Sequence, residues 1–118
     1  MGLFDFFSRK ANDLASKNAD AHLRSLGFNV ANLSMDIQAI AYRDMCNANF
    51  IVRESGGRPL TVAECALCKL ASIYVSRRGN PEIAHAIALT IPNIAGNGAG
   101  SVRKEIAEHA HELMSALG

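Results

Sequence analysis

The stretch LTVAECALCKLA, Leu60 to Ala71, decides the fold. Thr61 followed three residues later by Glu64 is a capping box: the hydroxyl accepts one free helix N–H and the carboxylate reaches back for another. Beyond it the apolar residues keep a helical period. Val62, Ala63, Ala66, Leu67, Leu70, Ile73 and Tyr74 fall on one stripe. The same stretch holds Cys65 and Cys68 in a C-x-x-C spacing on a different arc, with Glu64, Ala71, Ser72, Val75 and Ser76. That arc is small and half polar, and small side chains let a second helix approach.

Outward from this helix, Gly and Pro punctuate the chain. Gly79 stops it after about Arg78, and Asn80-Pro81 opens a fourth helix, since Pro loses nothing where its N–H would be unbonded. That helix is expected to end before Pro92. The segment 95–100 reads as a flexible glycine-rich link by composition, after which Ser101 caps a fifth helix to the chain end. Upstream, a first helix is expected from about Ala11 to Ser25, closed by Gly27. A second opens at Asn29 or Asn32 and runs to about Arg53. No segment alternates as a strand would. The fold class is therefore all-α: a compact bundle of about five helices with short connections and a mobile link before the last, in one domain spanning 1–118.

Helix two carries apolar residues on two sides. One stripe holds Val30, Leu33, Ile37, Ile40, Ala41, Ala48 and Ile51; an opposite arc holds Met35, Ala39, Tyr42, Cys46 and Phe50. Such a helix is central in its domain or lies in an oligomer contact. Asp44 falls inside the first stripe and needs a partner or solvent.

The chain has 118 residues, 49% apolar and 19% charged, enough for a core without staples. Twelve basic residues stand against eleven acidic ones, which leaves no electrostatic footprint for nucleic acid. Three cysteines form no even framework and read as reduced thiols of a cytosol-like compartment. No apolar run reaches the roughly 20 residues of a membrane span. The first ten residues are not a secretory signal, because the basic pair Arg9-Lys10 follows the apolar part.

Five features bear on chemistry. In the C-x-x-C, Cys65 sits one turn inside its helix beside Glu64, whose charge opposes a thiolate. Two E-x-x-H pairs, Glu82/His85 and Glu108/His111, have the spacing of di-metal bundle ligands. The further glutamates that such a site needs are missing from helices one and two, and Glu108 and His111 point away from the stripe Val102, Ile106, Ala110, Leu113, Leu117. The G-N-G-A-G-S run lacks the strand of a dinucleotide fingerprint and the Lys of a P-loop. The turn at Arg77 to Pro81 resembles a helix–turn–helix junction in outline, but 81–91 holds no Arg, Lys, Asn or Gln to read a base. Finally, Leu3, Phe4, Phe6 and Phe7 precede Arg9 and Lys10, a segment able to dock on the bundle, a partner or a membrane surface.

These constellations lack the partners their chemistry needs, while helices two and three each carry a surplus face. The reading this favours is a non-enzymatic helical interaction module, a small adaptor, inhibitor or regulatory subunit, homo-oligomeric and without cofactor. The contact residues it names are Leu3, Phe4, Phe6, Phe7, Tyr42, Cys46, Phe50, Cys65, Cys68 and Ser72. One alternative is a thiol- or metal-dependent enzyme using Cys65 and Cys68 or the residues Glu82, His85, Glu108, His109 and His111. Another is peripheral membrane attachment through residues 3–10.

Overall fold

A computed structural model describes residues 3–56, 58–96 and 100–117; the side chains of 3–8, 93, 95, 96 and 100–102 lie outside what it describes. Five helices follow in order: α1 Leu3–Ser25, α2 Met35–Glu54, α3 Val62–Ser76, α4 Pro81–Gly96 and α5 Gly100–Leu117, with one 3₁₀ turn, Val30–Asn32, before α2. The all-α bundle expected from the sequence is present. The radius of gyration, 13.7 Å, matches the roughly 13.5 Å of a compact chain this long.

The capping box opens α3 as its sequence dictates. Glu64 N–H donates to Thr61 Oγ1 at 3.2 Å, and Thr61 N–H donates to Glu64 Oε1 at 2.8 Å. Asn80 caps α4, accepting from Glu82 N–H at 2.8 Å, with Pro81 as the first helical residue. At the end of α1, Phe28 N–H reaches back to Leu23 O at 2.8 Å and Gly27 N–H to Arg24 O at 3.0 Å. Gly27 holds φ +95°, the left-handed conformation this stop requires.

Three boundaries differ from expectation. α1 begins at Leu3, eight residues earlier than Ala11, because no Gly or Pro interrupts 3–25. α2 is capped by Ser34, which accepts from Ile37 N–H at 3.4 Å; Asn29 caps the 3₁₀ turn instead. α4 runs through Pro92 to Gly96. Pro92 lies on the exposed side, while Ile83, Ile87 and Ile94 keep one buried stripe across it. Burial of Ile94 favours continuing the helix past the proline. Ala95, Gly96 and Gly100 are thus helical, and only 97–99 of the expected link lie outside the described residues.

The central helix is α3, not α2. It packs against α1, α2, α4 and α5, and Ala63, Cys65, Ala66, Leu67, Leu70 and Ile73 are all buried. Of its cysteine arc, Glu64, Cys65 and Ser72 are buried within the chain, Cys68 and Ala71 are half-buried, and Val75 and Ser76 are exposed. α2 is a flanking helix whose inward stripe is Ala41, Met45, Asn49 and Val52. Ile40, at 39% exposure, and Phe50 and Ile51 at 60% and 63%, face outward. The pattern misleads because the buried stripe contains a polar residue. Asn49 Nδ2 donates to Cys65 Sγ at 3.8 Å, which satisfies it in the core. Asp44 is part-exposed, with Arg43 Nε 3.9 Å away.

Candidate functional site

Two polar pairs fix the outer helices to α3. Lys69, its side chain only 3% exposed, donates to Asp20 Oδ1 at 2.7 Å and to Ser16 Oγ at 2.5 Å, which ties α1 to α3. Arg103 on α5 donates from Nε to Glu64 Oε1 at 3.0 Å and from its guanidinium tip to Pro59 O at 2.9 Å. Glu64 thereby serves both the capping box and the anchoring of α5. It is 1% exposed, and its second oxygen, Oε2, has no hydrogen-bond partner among the described residues.

α2 and α5 both lean on α3 but do not pack along one another. Between them lies an open apolar groove of about 250 Å³. Leu67, Cys68 and Ala71 of α3 form its floor; Ala48, Ile51 and Val52 form one wall, and Glu105, Ile106 and His109 the other. His109 Nδ1 lies 3.8 Å from Glu112 Oε2. The groove's lining is mainly apolar, and Ile51 at its edge is exposed.

The expected contact residues separate into three groups. Cys65 and Ser72 are buried inside the chain, a correction to their reading as a presented face: they pack within the bundle, Cys65 against Asn49 of α2. Tyr42 and Cys46 are half-buried beside α1, where Tyr42 O–H donates to Asp13 Oδ1 at 2.5 Å. Phe50 remains exposed and Cys68 opens onto the groove. The side chains of Leu3, Phe4, Phe6 and Phe7 lie outside the described residues. Sequence reasoning missed Ile51 as an outward residue and missed the contribution of Ile106 and His109, because the groove needs three helices to define it.

Burial pushes Cys65 up, against the opposing bond from Asn49. Burial, then the charges of Cys65 and Glu64, push Cys68 up to about 12. Cys46 is raised by burial as well. A reactive thiol needs the reverse shift. Glu82, His85, Glu108, His109 and His111 are all exposed, and among the described residues no three His, Cys, Asp or Glu side chains come together in a metal-holding group. The packing role of C-x-x-C is what this geometry supports: Cys65 fills a core position against Asn49, and Cys68 floors the groove. Among the described residues no helix is long and apolar enough to cross a membrane. Comparison of the chain with known protein families, with curated proteins and with solved structures finds no match.

Proposed function

We propose that this chain is a helical protein–protein interaction module that binds an apolar segment in the groove between α2, α3 and α5, and that it self-associates through that face. The observation that carries the reading is the groove itself: an apolar cleft bordered by Ile51, an isoleucine with 63% of its surface in water. Ile51 and the open apolar floor beside it make one continuous apolar surface, which is what a contact face presents. The groove has the size of one or two large apolar side chains, so it suits a helix presenting its apolar stripe. The lining supports binding better than catalysis, since its one thiol is held protonated and its acid and imidazole, Glu105 and His109, sit on the rim.

Hydrogen exchange at low and high protein concentration tests this reading. Self-association through the groove slows exchange in 47–54 and 103–110 as concentration rises, with the outer face of α4 unaffected. Exchange independent of concentration everywhere, or slowed only on α4, refutes it.

A further inference from the structure

We infer that the occupant of the groove is the N-terminal segment of a second copy of this chain, residues 3–10. The inference rests on the groove reading above and names its partner. Three observations converge.

The first is chemical fit. The groove is apolar within, and Glu105 stands on its rim. A fitting ligand is a short helix with large apolar residues followed by cations. Residues 3–10 have that order: Leu3, Phe4, Phe6 and Phe7, with Asp5 among them, then Ser8, Arg9 and Lys10. A charge pair at a contact rim, such as Arg9 on Glu105, sets orientation and register as well as adding to affinity.

The second is that the backbone of this segment is helical, continuous with α1 from Leu3. A helix laid in a groove is a common recognition mode and needs no refolding here.

The third is that the segment cannot reach its own groove. α1 meets α3 at Lys69, about 200° around that helix from Ala71 on the groove floor. It meets α2 on the opposite flank as well. Ala11, Asn12 and Ala15 face Asn49 and Arg53 across a cleft, and Asn49 lies about 200° from Ile51. α1 is unbroken over 3–25, with no Gly or Pro at which to turn. Ala11, Asn12 and Ala15 share that cleft with Pro59 and Leu60, ahead of α3, so residues 3–10 continue past the start of α3, away from the floor at Leu67, Cys68 and Ala71, and the docking is between copies.

The test uses two full-length variants. Phe6→Glu/Phe7→Glu spoils the segment and keeps the groove. Ile51→Glu spoils the groove at a residue exposed enough to leave the fold intact, which circular dichroism checks; Ala71→Met, which fills the floor, is the second groove variant. Each alone is expected to run as a monomer in native mass spectrometry at concentrations where the wild type is oligomeric. An equimolar mixture of segment and groove variants is expected to regain a 1:1 heterodimer, because one intact segment meets one intact groove. Arg9→Glu is expected to weaken association at least tenfold, and Glu105→Arg in the same chain to restore part of it. If the groove variants dissociate the wild-type oligomer but the Phe variant does not, the groove reading stands and this occupant is wrong. If none of the variants changes the mass, or the wild type is itself a monomer, both fail. Monomeric variants that do not complement on mixing also overturn the inference.

Discussion

Arg103→Met is expected to destabilise the fold by about 3–5 kcal/mol, as removal of one member of a buried ion pair does. The magnitude follows from what is left behind. Glu64 is 1% exposed, and Arg103 is its ion-pair partner at 3.0 Å. Its Oε2 already lacks a hydrogen bond among the described residues, so a carboxylate stripped of Arg103 keeps one bond, from Thr61 N–H. Pro59 O loses its donor at the same time. With an unfolding entropy of about 2.1 cal/mol/K per residue, the loss lowers Tm by roughly 12–20 °C in a chain this long. Thermal and urea unfolding of four proteins give the check: wild type, Arg103→Met, Glu64→Gln and the double variant. Glu64→Gln keeps an oxygen that can accept from Thr61 N–H, and in the double variant no charge is buried alone. The double variant should therefore lose less than Arg103→Met does. A loss under about 1 kcal/mol for Arg103→Met, or strict additivity in the cycle, would refute the claim that this buried pair anchors α5.

Three further outcomes follow from burial and charge. Leu70→Ala should cost about 2–5 kcal/mol, since Leu70 is fully buried on α3; Ile40→Ala, on the outer face of α2, should cost under about 1 kcal/mol by the same denaturation assay. Thr61→Ala removes the α3 cap and should cost about 1 kcal/mol. Stability should fall as pH rises above about 9. The folded state holds the Cys68 proton up to about 12 while the unfolded thiol loses it near its ordinary value, so the folded state binds more protons in that window. Cys68 alone then contributes a slope of about 1.4 kcal/mol per pH unit, Cys65 and Cys46 act in the same direction, and Cys68→Ala should flatten the profile. A profile unchanged by that substitution would contradict the burial of this thiol.

Local chemistry made most of the fold legible. Thr61 with Glu64, Asn80 with Pro81, and Gly27 each state a helix boundary through groups within a few residues of one another, and each stands where the sequence places it. What sequence could not give depends on distant pairs. Nothing within α3 announces that Glu64 meets Arg103 thirty-nine residues later, or that Lys69, an exposed type of residue by habit, is buried against Asp20. The phase of α2 was obscured by Asn49, a polar residue inside the buried stripe, so Met45 was overlooked and Ile40 placed inward. Pro92 reads as a stop because its backbone cost is local, while the burial of Ile94 that offsets it is tertiary. The groove was half legible. The small-residue arc of α3 pointed to Cys68 and Ala71, but part of that arc is buried within the bundle, and the wall from α5 has no sequence signature.

The most direct measurement on the central claim is the mass of the full chain in solution, by sedimentation or light scattering over a concentration series, beside Ile51→Glu. The account predicts that the wild type rises to a multiple of 12.6 kDa while Ile51→Glu, equally helical, stays at the monomer mass. A wild type that holds the monomer mass at every concentration, or an Ile51→Glu variant that associates as the wild type does, would contradict it.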